Sequence, residues 1–243
     1  MDAELLGKRI AVLDKGWIEL IDMLPHPNAG VSADLAIVNA ARVSFMGESK
    51  GPEKDKKLLF YLLRNHHTTP FEMVEFKFRV RAPLVTWWQW VRHRTWSFNA
   101  QSGRYTAFEE NDFYVPDVWR KQAASNKQAS DGQVDTETNA ELTRQLESLY
   151  QQSYDLYSRA LEAGISRELA RVFLPGFSVY YTWVAKIDAH NLMHFLRLRM
   201  APDAQHEIRV YAETIYEHFF KPALPWTAEA FSEYILKSEQ PPQ

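Results

Sequence analysis

The chain contains no cysteine among its 243 residues. That absence excludes disulfides, thiolate metal sites and cysteine nucleophiles. No uninterrupted apolar run approaches the roughly 18–20 residues that a membrane-crossing helix needs. Neither sign of charge prevails: 28 Lys and Arg stand against 31 Asp and Glu, a net charge of -3. No global pull toward nucleic acid follows, so an arginine cluster here is a local device for a small anion or a narrow site. The start, Met1-Asp2-Ala3-Glu4, is acidic and lacks the basic-then-apolar pattern of a signal peptide, and a soluble cytoplasmic protein is expected. There is no internal repeat. What is plentiful is apolar material, 46% hydrophobic and 14% aromatic, enough to bury a sizeable core in one domain spanning 1–243.

Residues 9–23 read as a hairpin around Asp14-Lys15-Gly16. Ser32 looks like the N-cap of a helix through Val43, and a second helix fits 53–65 with Leu58, Leu59, Tyr61 and Leu62 on one side. Thr69-Pro70 breaks it. The segment 72–81 then alternates, with Val74, Phe76, Phe78 and Val80 opposite Glu75, Lys77, Arg79 and Arg81. That is a strand with one buried face. Pro83 opens a helix over 84–94 that is apolar almost all round, hence expected to be buried, with Arg92, His93 and Arg94 at its end. Residues 121–140 are polar and read as a mobile surface connection, partly helical. Helices follow over 140–163, ended by Gly164, then from Ser166 to Pro175, through 190–199 and over 203–219. Pro225-Trp226-Thr227 opens a short last one. The mixture predicts an α+β fold.

Arg92, His93, Arg94, Ser97, Ser102, Gly103 and Arg104 crowd into one short stretch. Arginine forks match phosphate, and hydroxyls and loop N–H groups complete such sites. The same arginines would also suit a solvated helix C-terminus. In the 188–199 block, helical spacing puts Leu192, Phe195 and Arg199 on one stripe. A buried arginine needs a partner, either an internal carboxylate or an anionic substrate. His190 and His194 stand at i and i+4, a spacing that can chelate zinc, but Asn191 occupies the place of the catalytic glutamate in zinc-protease helices.

Together these residues resemble the flavin-dependent thymidylate synthase family. Its signature is Arg-His-Arg, seven residues, then Ser; here it is Arg92-His93-Arg94, 95–101, Ser102. His67-Thr68-Thr69-Pro70-Phe71-Glu72, Arg171-Val172-Phe173-Leu174-Pro175, the 188–199 block, Ala204-Gln205-His206-Glu207-Ile208-Arg209 and Pro225-Trp226-Thr227 follow in the family's order over roughly residues 8–230. The resemblance implies a mainly antiparallel sheet flanked by helices, working as a homotetramer with sites shared between subunits. It implies reductive methylation of dUMP to dTMP, with FAD as cofactor and NADPH and 5,10-methylenetetrahydrofolate as co-substrates. Nucleotide contacts would come from Gln89, Trp90, Val91, Arg92, Ala100, Gln101, Ser102, Gly103, Arg104, Arg171 and Arg199. Arg171 would reach in from a neighbouring subunit, and Arg199 would favour ionisation of the uracil. FAD would touch Ser44, His67, Thr69, Arg92, His93, Arg94, Ala100, Asp188, His190 and His194, which removes any need for metal.

Three departures stand out. Ala100 occupies a position where the family usually has Glu, Trp88 one where Arg is common, and the stretch between Pro175 and Asp188 is one residue longer. Ala100 and Trp88 motivate an alternative substrate such as UMP or a modified pyrimidine nucleotide. The third class, a nucleic-acid-binding module, is disfavoured by the net charge. Ser102 as a nucleophile is disfavoured because no adjacent base would activate it.

Overall fold

Alternation in 74–80 places four apolar side chains on one side of the chain. All four are fully buried in the computed structural model, which describes residues 5–124, 126 and 129–237. Phe76, Phe78 and Val80 belong to β3 (Glu75–Pro83), which Val74 immediately precedes, and the other face of the strand exposes Lys77 and Arg79. The strand starts later than expected because Thr69–Met73 winds into a 3-10 turn. The expected hairpin is present as β1 (Arg9–Val12) and β2 (Gly16–Leu24). Its glycine is obligatory for packing: a Cβ on Gly16 would lie 2.0 Å from the Tyr211 hydroxyl and 2.7 Å from the Val12 carbonyl.

A nine-residue strand that the sequence pattern did not reveal, β7 (Tyr180–Asp188), lies inside the sheet between β3 and its edge strand. The sheet runs β1-β2-β3-β7-β4, with β4 formed by Ser97–Ala100, and every pairing is antiparallel. Its buried face carries Phe76, Phe78, Trp183, Ala185 and Ile187 against α1 (Ala33–Arg42), α2 (Pro52–Arg64), α6 (Ala189–Arg199), α7 (His206–Ile215) and α9 (Pro225–Phe231). The opposite face is charged, with Lys186 and Glu75 paired at 2.7 Å across it. One face packed and one solvated is the usual economy of an antiparallel sheet. The α+β fold expected from the sequence is the observed one.

Several helices follow the sequence signals. The Ser32 hydroxyl accepts from Leu35 N at the start of α1. Asp135 caps α4 (Thr136–Glu162), which begins earlier than expected and ends before Gly164 at φ +80°. Along α2 the buried apolar residues are Leu59, Leu62 and Leu63, whereas Tyr61 is exposed. Beyond Ser166 the helix is only one turn, α5 (Arg167–Ala170), continued by a 3-10 turn. The 203–219 helix starts at His206 and widens into a π turn at Tyr216–Phe220 before the short α8 (Lys221–Ala223).

Two further expectations are corrected. The helix after Pro83, α3 (Leu84–Trp90), stops four residues early: His93 N bonds back to the Trp90 carbonyl, and Arg92–Arg94 form a turn. Nor is it buried all round, since Trp88 is exposed and leans on Phe177 with ring centroids 5.2 Å apart and planes tilted by 52°. Within 121–140 the structure forms a small hairpin, β5 (Arg120–Gln122) and β6 (Ser130–Gln133), and the first turn of α4. Residues 125, 127 and 128 of that segment, and the first four residues, lie outside the described ones. A smaller core of Phe108, Phe113, Tyr150, Tyr157, Leu174 and Val179 packs α4 onto the loops around it.

Candidate active site

The apolar stripe of α6 behaves as its spacing requires. Leu192 and Phe195 are fully buried, and the stripe ends at half-buried Arg199. Its guanidinium finds no carboxylate among the described residues. Nε donates to His93 Nε2 at 2.8 Å, Nη1 to the Gln89 side-chain oxygen at 3.2 Å and Nη2 to the Gln89 carbonyl at 3.3 Å. His93 is 9% exposed, edge-on to Phe195 at 4.9 Å. Burial, then the positive charge of Arg199 and His194 nearby, hold its imidazole down to about 4. Burial also lowers the Arg199 pKa. Trp90, beside them in sequence, is locked among Phe195, Trp96, Trp183 and Tyr211, so only its backbone can meet a ligand. Val91 is partly exposed, and Arg92 and Arg94 are exposed without ion pairs among the described residues.

A second group of predicted residues gathers where β4 ends. Ala100, half-buried, pairs with Trp183. Gln101 is stitched to β7: its N–H donates to the Thr182 carbonyl at 2.9 Å and its side-chain oxygen accepts from Thr182 N at 3.0 Å. The Tyr181 hydroxyl also donates to its carbonyl. From this anchor, Ser102–Tyr105 turns sharply, with Ser102 Oγ accepting from Arg104 N at 3.3 Å. Gly103 is buried, and a Cβ there would lie 2.7 Å from the Phe108 ring and 3.6 Å from Arg171 Cδ. Arg171 therefore stands beside the Gly103 of its own chain. Arg104 pairs with Glu168 at 3.2 Å, and Arg171 Nε donates to the Glu168 carbonyl at 3.3 Å. Glu168 was not among the expected site residues; only its place in the first turn of α5 marked it. No hydrogen bond or ion pair among the described residues joins this group to Arg199.

Except for Asp188, the remaining predicted residues line two clefts on either side of the 66–70 turn. Ser44, His67 and Thr69 share a cleft of about 840 Å³ with Arg42, Phe45, Lys50, Tyr61 and Met73. Its rim is fixed by Asp55, which accepts from Arg42 and Ser49, each at 2.5 Å. Burial alone would raise the Asp55 carboxyl, but those bonds outweigh it and hold its pKa below the usual value. His190 and His194 line the second, about 300 Å³, with His66, Thr68 and Arg197. Asp188 is occupied locally as the cap of α6, accepting from Asn191 N at 2.9 Å. Among the described residues no three metal-ligating side chains converge, and no helix is long and apolar enough to cross a membrane.

The arrangement offers a cationic fork without a counter-ion among the described residues, a hydroxyl-and-arginine turn, and a cleft mixing hydroxyls, a lysine and aromatic rings. The chain is similar to proteins of one known family. Residues 27–226 match the model of the family described as thymidylate synthase complementing protein. The flavin-dependent thymidylate synthase of Thermus thermophilus is 46% identical over 228 residues, 94% of this chain and 80% of its own. That of Dictyostelium discoideum is 43% identical over 232 residues, 94% of this chain and 75% of its own. A solved UMP/dUMP methylase from Streptomyces cacaoi, bound with 5-Br dUMP, superposes with a TM-score of 0.80 at 34% identity, covering 93% of this chain and 99% of that one.

Proposed function

The chain belongs to the family of flavin-dependent thymidylate synthases, and from that premise we propose that its two arginine clusters and its long cleft carry out the reductive methylation of dUMP to dTMP. The observation that carries this reading is Arg199, a half-buried cation that faces no carboxylate among the described residues. Uracil C5 is a poor nucleophile until electron density is pushed toward it. Arg199 stabilises negative charge as N3 of the ring ionises, and so enriches C5. Ser102, the Gly103 backbone, Arg104 and Arg171 hold the phosphate, with the turn N–H groups and two guanidinium forks as donors.

Ser44, His67 and Thr69 offer hydrogen bonds, Lys50 a charge for a pyrophosphate, and Phe45 and Met73 apolar walls. A cleft of about 840 Å³ with that donor set fits FAD. His190 and His194 extend the contact from the neighbouring cleft, and Arg92 and Arg94, exposed on their turn, are the cations that the family resemblance assigns to the same cofactor. When bound, reduced FAD supplies hydride, chemistry that no side chain of this cysteine-free chain provides. The methylene donor is 5,10-methylenetetrahydrofolate and the reductant NADPH. No hydrogen bond or ion pair among the described residues joins the phosphate turn to Arg199, and in this reading, following the family resemblance, a complete site combines the turn of one subunit with the Arg199 cluster of another. Exposed Leu169, Val172, Phe173 and Phe177 beside the turn give such a homotetramer an apolar surface. Cytoplasmic nucleotide synthesis is the setting this reading fits.

Transfer of isotope from labelled methylenetetrahydrofolate, with NADPH and FAD present, tests it. Labelled dTMP from dUMP is expected; none would defeat the reading. A parallel arm with UMP tests the substrate change that Ala100 motivates, since a missing carboxylate leaves room for a different sugar.

A further inference from the structure

We propose that His93 is the positioning residue of Arg199, a neutral acceptor that fixes the plane of the guanidinium without cancelling its charge. The inference rests on the reading of Arg199 as the group that faces the uracil. A guanidinium carries five N–H donors in a rigid fork. Three are taken, by His93 Nε2, the Gln89 side chain and the Gln89 carbonyl. One N–H on each terminal nitrogen is left, and both lie in the plane that those three bonds set. The ring that sets it is itself immobile. Its backbone N–H is bonded to the Trp90 carbonyl at 3.0 Å, and it packs on Phe195, one turn before Arg199 on the same stripe.

The identity of the acceptor matters. An Asp or Glu at position 93 would orient Arg199 equally well, but would neutralise it and repel an ionised uracil. An imidazole accepting at Nε2 carries its proton on Nδ1 and no net charge. Burial and the adjacent guanidinium keep it in that form around neutrality. An apolar ring would fill the same space and leave the arginine free to swing.

Three variants separate positioning from packing. Turnover at saturating dUMP and FAD should fall about 10²-fold in His93→Phe, as misorientation of a reacting group predicts. His93→Gln, a neutral acceptor, should recover at least tenfold of that loss, and His93→Glu should not. In an Arg199→Ala background His93→Phe should cost less than about threefold, because a residue acting through another has nothing left to position. A packing role ranks Phe above Gln and overturns the proposal. So does an additive double variant, or a loss that excess FAD restores. If the Phe variant does not fold, equal turnover in Gln and Glu overturns it instead. No dTMP from the unaltered enzyme would count against the thymidylate reading itself, a different failure.

Discussion

Arg199 and Arg104 are assigned to one nucleotide, yet the protein builds them in opposite ways. Arg199 is half-buried at the end of a packed helix, and neutral groups fix three of its donors. Arg104 sits on an exposed turn, its guanidinium resting on Glu168, with both side chains more than half exposed at 63% and 53%. The first is organised before any ligand arrives, and no carboxylate among the described residues compensates its charge. The second is compensated by a solvent-screened ion pair that costs little to exchange. Rigid, unpaired charge suits the atoms where electron density develops. An adaptable pair suits a phosphate that must enter, be held and leave.

The largest effect should come from the rigid side. Arg199→Ala removes the only charge assigned to the base, so turnover should drop about 10²–10³-fold. The KM for dUMP should change far less, because the phosphate turn is intact. Steady-state kinetics that showed the reverse, a large KM change at near-normal kcat, would assign Arg199 to binding and dissolve the contrast.

Much of this side was visible in the sequence. The stripe Leu192, Phe195, Arg199 follows from helical spacing, and the strand over 74–80 follows from alternation. What was not visible depends on partners distant along the chain. His93 and Arg199 are 106 residues apart, and nothing local indicates that a histidine in an Arg-His-Arg turn points inward. The strand β7 was missed because its alternation is blurred: Tyr180 and Trp183 are buried while Tyr181, Thr182 and Val184 are half-covered. β4 has only four residues, and its extended form is set by pairing with β7 rather than by its own composition. The early end of α3 has the same origin, since Trp90 and Trp96 both anchor in the core and draw the turn between them tight. The phosphate turn was legible in residue types, and its Arg171 was expected from a neighbouring subunit. Its packing beside Gly103 of the same chain is a tertiary fact.

The rigid cluster also carries a pH signature of intermediate size. In the unfolded chain His93 takes up a proton near 6.5, whereas in the folded protein it does so only near 4. Its contribution is therefore complete above about pH 6.5 and is lost as pH falls toward 4. The loss should be about 1–2 kcal/mol, below the full linkage value because the ring is not wholly withdrawn from water. Urea unfolding from pH 7 to 4 should show the wild type losing more stability than His93→Gln over that window. Parallel curves would mean that the folded ring titrates freely and that Arg199 is not held by a neutral partner. The exposed turn should contribute no such difference.

The smallest effect should come from Glu168, and it tests the adaptable side. Glu168→Gln removes the ion pair with Arg104 but keeps a side chain of the same shape. It leaves the carbonyl that accepts from Arg171 in place. An exposed pair contributes at most about 1 kcal/mol, so thermal unfolding should move by no more than a few degrees. Freed from its local competitor, Arg104 should hold phosphate somewhat better, with the KM for dUMP falling about twofold at low ionic strength and kcat unchanged. Salt near 0.3 M should erase the gain, because it screens the same competition in both proteins. A KM that instead rose fivefold or more would show that Glu168 holds Arg104 in its working geometry. The turn would then be as pre-organised as the Arg199 cluster.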